Sequence, residues 1–195
     1  LDQGVRIRDR VEPPHWALVT MDMDHASPVR LVAAVMPLVL AGTANILVVR
    51  IKRQGQADSQ WAETMLTGLE LAGQENGCTL GLVRARKLYQ ELASSGLPGA
   101  VVELGKESFL DDRGEASPGS VLHLRPAWDG RIGLWLDQEA SWDLDLLSWA
   151  HPDATLCVWS HLTQAPPDMP ENSTYTCGTL PEFFAARHSV VFVPP

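Results

Sequence analysis

The chain has 195 residues and a formal net charge of −9 at pH 7, from 24 Asp and Glu residues against 15 Lys and Arg residues. Because binding to nucleic-acid phosphates needs clustered cations, this balance argues against nucleic acid as a partner. Hydrophobic residues make up 45% and charged residues 20% of the chain, which is typical of a globular domain rather than of a disordered chain. The longest apolar run, residues 31–41, is about half of what a membrane span needs, so no membrane partner is predicted.

The cysteine content indicates the cellular compartment. Cys78, Cys157 and Cys177 are odd in number, far apart and not in Cys-x-x-Cys spacing, which argues against a disulfide framework and a cysteine-rich zinc site. The first ten residues lack the apolar core of a signal peptide. We therefore expect reduced thiols in a cytoplasmic protein.

Short apolar runs alternate with amphipathic segments from residue 16 onward. The predicted strands span residues 16–20, 46–49, 79–83 and 100–104, and the predicted helices span residues 28–40, about 59–75 and 84–93. Because these strands are nearly continuous apolar runs, they are typical of a parallel sheet covered on both faces. The sequence predicts an α/β fold, namely a three-layer α/β/α arrangement with a mainly parallel, Rossmann-like doubly wound sheet.

The composition changes after residue 104. Residues 1–104 are predicted to form a Rossmann-like βαβ half, and residues 105–120, rich in Gly, Ser, Asp, Glu and Pro, a linker or mobile loop. Residues 121–195 are predicted to form a second α/β portion packed on the same sheet. Its predicted elements are strands at 121–124, 131–136, 155–159 and 189–193, helices from Ser141 and at 180–187, and an extended crossing segment at 163–179. The first two strands allow a hairpin around Asp129-Gly130.

The loop after the first strand carries candidate metal ligands. Asp22, Asp24 and His25 stand at the carboxyl end of a predicted parallel strand, just before a helix that Ser27 is placed to cap. That edge is where α/β sheets bind ligands, and carboxylates and imidazole suit Mg, Mn or Zn. The other interpretation is that these residues complement the positive end of the helix dipole. The glycine-rich turn that cradles phosphate is absent at this position.

Further candidates are isolated in the sequence. His151, Asp153 and His161 are a second possible metal set, but a predicted strand separates the first two from the third. The sequence contains no Gly-x-Ser-x-Gly motif, the pattern that would indicate a serine nucleophile. Seven tryptophans are many for this length, and Trp128, beside a predicted turn, is a candidate interface residue. We therefore expect a homo-oligomer or a partner subunit.

Five segments carry a resemblance to a known superfamily. They are Pro-Val-Arg-Leu at 28–31, the run ending in Ala-Gly at 36–42, the apolar strand at 46–49, Leu-Glu-Leu-Ala-Gly at 69–73 and Glu-Leu-Gly-Lys at 103–106. In this layout the chain resembles the cofactor-binding half of the aldehyde dehydrogenase and histidinol dehydrogenase superfamily. The resemblance implies a shortened oxidoreductase that binds NAD or NADP.

The resemblance also implies roles for single residues. Glu103 corresponds to a catalytic base, and Lys52 is an approximate match to the lysine that holds the adenosine ribose. By position, His25 is a second catalytic candidate and Ser27 a second cofactor-binding candidate. No cysteine follows Glu103 at the distance of the aldehyde dehydrogenase nucleophile. The alternative is therefore a non-catalytic α/β protein that acts as a homo-oligomer or accessory subunit, with a nucleotide or another small molecule as possible ligand.

Overall fold

A computed structural model of the protein describes residues 12–74, 77–110, 120–126, 130–137 and 142–194. The strands are β1 (Trp16–Asp22), β2 (Asn45–Lys52), β3 (Gly77–Gly81), β4 (Gly99–Glu103), β5 (Val121–Leu124), β6 (Arg131–Trp135), β7 (Thr155–Ser160), β8 (Ser173–Cys177) and β9 (Val190–Phe192). The helices are α1 (Pro28–Leu40), α2 (Glu63–Leu71), α3 (Leu82–Ser94), α4 (Leu144–Ala150) and α5 (Leu180–Ala185). None of the helices in these ranges has the length and apolarity to cross a membrane.

The first sheet is a doubly wound parallel sheet. Its five strands lie in the order β3-β2-β1-β4-β5, and every pairing is parallel. On one face, Leu31 of α1 and Met65 of α2 pack on Val19 of β1. On the other face, Tyr89 of α3 packs in a core with Leu18 of β1. The predicted α/β class and three-layer, Rossmann-like arrangement are confirmed here, since helices cover both faces and the chain winds outward from β1 in both directions.

The rest of the chain forms a second parallel sheet, in the order β8-β7-β6-β9. This order repeats that of the first four strands of the first sheet. Leu144 of α4 packs with Leu134 in the core of this sheet, whereas Phe183 of α5 contacts Trp135, the next residue along the strand. Because neighbouring strand residues point to opposite faces, α4 and α5 cover opposite faces of the second sheet.

This arrangement differs from the predicted packing of residues 121–195 on one sheet. Among the described strands of this portion, only β5 joins the first sheet, where it pairs with β4, while β6 pairs with β7 and β9. The prediction of a hairpin between these two strands is therefore wrong, because β5 and β6 belong to different sheets. Trp128, Asp129 and Ser141 lie outside the described residues.

Two local predictions are also wrong. Helix α2 begins at Glu63 rather than near residue 59, because the Ser59 hydroxyl accepts a 2.6 Å hydrogen bond from Arg50 instead of capping a helix. Trp61 stays outside the helix as well, and the Arg50 guanidinium lies 5.2 Å from its ring centroid. The segment 163–179, predicted as an extended crossing, contains β8, which pairs with β7.

A substitution at Gly99 tests the packing of the first sheet. A Cβ atom at Gly99 would overlap the indole of Trp16, whose side chain is buried beside it. We expect Gly99→Ala to lower the free energy of unfolding by about 1–3 kcal/mol, because the indole must move within a packed core. The matched control is Gly81→Ala, since a Cβ there meets nothing within 4 Å. Equal urea midpoints for wild type and Gly99→Ala would contradict this packing.

Candidate functional site

Charged side chains fill the crevice between the carboxyl ends of β1 and β4. Helices that follow β1 and β3 lie on opposite faces of the sheet, so this crevice is the topological switch point at which α/β sheets bind ligands. The side chains that surround it, here called the switch-point cluster, are Asp22, Asp24, His25, Arg30, Lys106 and Asp153. They enclose a cavity of about 10 Å³, room for no more than a single water.

Three ion pairs balance the charges of the cluster. Arg30 Nη1 lies 3.1 Å from Asp153 Oδ2, and both side chains are 12% exposed. At the rim, Lys106 Nζ lies 3.0 Å from Asp24 Oδ2, and Arg53 Nη2 lies 3.6 Å from Asp22 Oδ1.

The rim pair and the buried pair differ electrostatically. The hydrogen bond from Lys106 lowers the pKa of Asp24, and the same contact raises the pKa of Lys106. Burial lowers the pKa of Arg30, and the nearby Asp153 carboxylate opposes that change. The rim pair is screened by water, whereas the buried pair is screened much less.

Gly105 makes room for the Asp22 carboxylate. The Lys106 backbone N–H donates a 2.7 Å hydrogen bond to Asp22 Oδ2, which brings that oxygen against the chain after β4. A Cβ atom at Gly105 would lie 2.8 Å from the same oxygen. The glycine of the Glu-Leu-Gly-Lys segment is therefore needed for close approach of the β1 and β4 ends.

His25 lies in the interior of the cluster. Its side chain is 3% exposed, and Nδ1 lies 3.9 Å from Asp153 Oδ2, beyond hydrogen-bond distance. His25 Nε2 and Asp153 Oδ1 are both buried, and neither has a hydrogen-bond partner among the described residues. Burial is the main cause that lowers the pKa of His25, followed by the charge of Arg30, while Asp153 acts in the opposite direction. The imidazole is therefore neutral at pH 7.

The Ser27 side chain is buried and hydrogen-bonded within the protein. It is fully buried, and its hydroxyl accepts a 3.3 Å hydrogen bond from the Arg30 backbone N–H as the N-cap of α1. The same hydroxyl donates a 2.8 Å hydrogen bond to the carbonyl of Ala150, the last residue of α4. The predicted capping role of Ser27 is confirmed, and its oxygen does not face a cleft.

Glu103 holds the segment that follows β4. Its carboxylate oxygens accept hydrogen bonds of 3.1 and 2.9 Å from the Ser108 hydroxyl and one of 3.0 Å from the Phe109 backbone N–H. Phe109 packs in the core on the α3 face. Glu103 is 7% exposed and does not line the switch-point cavity, so the structure does not bring it together with His25.

Lys52 lines a separate cleft of about 700 Å³, where β2 and β3 end and α3 begins. Residues 52–56 and 81–84 line this cationic cleft, including three cations, Lys52, Arg53 and Arg84, and no carboxylate. Lys52 Nζ lies 2.7 Å from Asp58 Oδ1, an aspartate that is 87% exposed. Helix α3 begins after Gly81 without a side-chain cap, so its first backbone N–H groups lie at the cleft.

The predicted metal ligands lie among protein cations rather than around a shared metal position. Asp22, Asp24 and His25 are brought to one cluster, but Arg30, Arg53 and Lys106 lie among them. Among the described residues, no group of three or more His, Cys, Asp or Glu side chains is placed to hold a metal ion. His161, of the second candidate set, follows β7, whereas His151 and Asp153 precede that strand.

Sequence reasoning missed the partners of these residues. Arg30 and Asp153 are 123 positions apart, and no local pattern connects them. The sequence indicates Arg53 and Arg84 only weakly as site residues. Arg53 follows the predicted strand at 46–49 and Arg84 begins the predicted helix at 84–93, so both lie near the carboxyl edge of the predicted sheet.

No protein-family model matches the chain, and searches of curated proteins and of solved structures likewise return no match. The resemblance to the dehydrogenase superfamily therefore stays a prediction. Function is inferred below from the geometry of the cluster and the cleft.

The buried neutral histidine predicts a pH dependence. A histidine has a pKa of about 6.5 in the unfolded chain, and the folded chain lowers that of His25. As the pH falls below this value, the unfolded chain binds a proton that the folded chain does not, so stability falls. The destabilisation caused by His25→Gln at about pH 7.5 should therefore shrink towards pH 5.5.

Urea unfolding of wild type and variant at several pH values measures this difference. His161→Gln, the same substitution at an exposed position, is the matched control. A His25→Gln destabilisation that is constant over the same pH range would show that the folded protein does not disfavour protonation of His25.

Proposed function

We propose that this protein binds a nucleotide of the NAD(P) type, with a phosphate group of the nucleotide held in the cationic cleft. The observation that carries the proposal is the placement of Lys52, Arg53 and Arg84 around one cleft without a carboxylate in its lining. An anion bound there also lies beside the open amino end of α3, and the helix dipole favours negative charge at that end.

The position of the cleft favours a nucleotide over a random anion. The cleft lies at the carboxyl ends of two parallel strands, and Lys52 is the residue that the superfamily resemblance assigns to the adenosine ribose. A volume of about 700 Å³ is in the range of small-molecule sites. The protein is overall acidic, so this local concentration of cations stands out from the rest of the chain.

The switch point does not fit the central phosphates of a dinucleotide. Asp153 and Arg30 already fill that crevice, and the Ser27 hydroxyl at the start of α1 is bonded to Ala150. No glycine-rich turn follows β1, where the chain reads Met23-Asp24-His25 instead. The cationic cleft, not the β1–α1 turn, is therefore the place we propose for the phosphate.

We propose nucleotide binding as the function and oxidoreductase activity as the reaction class that such a nucleotide would serve. The nucleotide, when bound, would supply hydride transfer. Of the two predicted catalytic residues, Glu103 accepts hydrogen bonds from the segment after β4, and His25 is enclosed in the switch-point cluster. Aldehydes and amino alcohols are the substrate classes to assay once binding is measured, and the cytoplasm is the compartment we propose from the three free thiols.

The alternative function, a non-catalytic homo-oligomer or accessory subunit, is favoured by the outer strands of both sheets. In the order given above, β5 and β9 are terminal strands. Leu122 of β5 is 58% exposed, and Val190 and Val191 of β9 are 42% and 43% exposed. Apolar terminal strands of this kind can pair with another chain.

Nucleotide titration tests the proposal. We expect NADP or NAD at about 1 mM to raise the melting temperature of the wild type, because a ligand that binds only the folded state stabilises it. Lys52→Ala and Arg84→Ala should each weaken the affinity by about tenfold, since each removes one positive charge from the phosphate site. Calorimetric titration gives the dissociation constants.

The matched control is Lys87→Ala. Lys87 lies on the same helix as Arg84, pairs with Glu91 and is not in the cleft, so its removal should not change the affinity. No thermal shift with any of these nucleotides would refute the proposed function. Self-association measured by light scattering in that case would support the alternative.

A further inference from the structure

Asp153 reaches the switch point from outside the first sheet. It follows α4 and precedes β7 of the second sheet, and its carboxylate enters the crevice between the ends of β1 and β4. There it meets Arg30 of α1, whose other guanidinium nitrogen, Nη2, donates a 3.3 Å hydrogen bond to the Leu104 carbonyl. A ligand-binding position of the first sheet is thus filled by an anionic group of the same chain.

The charges around Asp153 are those of an anion site. Asp24 is paired with Lys106, and Asp22 with Arg53, so these carboxylates are neutralised at the rim. Removal of Asp153 would leave the Arg30 guanidinium, 12% exposed, without the carboxylate that faces it. Loss of a carboxylate that compensates a buried cation is unfavourable, which favours the binding of an anion from solution.

The internal carboxylate fits this site incompletely. His25 Nε2 and Asp153 Oδ1 are buried without a hydrogen-bond partner among the described residues, although both belong to residues that line the same small cavity. The His25 side chain is 97% enclosed, since only 3% of it is exposed. Buried polar atoms are almost always paired, so these two atoms point to a group that is not optimally placed.

We propose that the switch-point cluster is a carboxylate-binding site, which the Asp153 side chain occupies as an internal ligand. Arg30 supplies the charged hydrogen bond, and His25, whose Nδ1 lies 3.9 Å from Asp153 Oδ2, supplies a second polar group in the lining of the cavity. An external carboxylate-bearing ligand binds by taking the place of Asp153, and the turn between α4 and β7 is then released from the first sheet. The site adjoins the cationic cleft through the contact between Asp22 and Arg53, but the carboxylate position beside Arg30 lies outside the cleft lining and does not depend on nucleotide binding.

Chemical rescue tests this site. Asp153→Ala removes the internal carboxylate and leaves space beside Arg30 for formate. We expect formate at about 100 mM to raise the melting temperature of Asp153→Ala by about 3–5 °C relative to sodium chloride at equal ionic strength. The wild type should shift by less, because formate must compete there with the Asp153 carboxylate. If the variant is unfolded without formate, recovery of its far-ultraviolet circular dichroism on addition of formate is the readout.

Two comparisons make the rescue specific. Asp145→Ala, at an exposed position in the first turn of α4, should show no formate effect. The double variant Arg30→Met with Asp153→Ala should lose the rescue, because the cation that binds the carboxylate is gone. Absence of rescue in Asp153→Ala, an equal rescue in the double variant, or stabilisation by inorganic phosphate but not by formate would each overturn the assignment.

Discussion

The ion pair between Arg30 and Asp153 joins the two sheets of this protein. Both side chains are 12% exposed, so the pair is shielded from water and loss of either partner removes a compensating charge from a shielded position. The adjacent hydrogen bond from Ser27 to the Ala150 carbonyl ties the start of α1 to the end of α4. Polar contacts at the carboxyl edge of the first sheet therefore tie α1 to the end of α4 and to the turn before β7.

The same contact determines where a ligand can bind. A doubly wound sheet offers its crevice at the switch point, but here that crevice is filled by the chain itself. The open, positively charged surface lies one strand further out, where β2 and β3 end beside the uncapped start of α3. The geometry thus separates two anion positions, one filled by Asp153 and one open to solvent.

Local patterns in the sequence predict the first sheet well, because strands such as residues 46–49 are continuous apolar runs and the helix at 28–40 has a cap and a terminal glycine. These patterns fail where contacts with other parts of the chain determine the structure. Ser59 binds Arg50 instead of capping α2, and the strand at 121–124 pairs with β4 rather than with β6. Asp22, Asp24 and His25, the candidate metal ligands, line one small cavity, but their partners come from distant positions.

A double-mutant cycle on Arg30→Met and Asp153→Asn is the most direct measurement of the contact that joins the sheets. Urea unfolding of the wild type, both single variants and the double variant gives the coupling free energy. We expect a coupling of about 1.5–3 kcal/mol, because the two charges interact in a shielded environment. Single-variant effects that add to within about 0.5 kcal/mol would show that the pair does not hold the two sheets together.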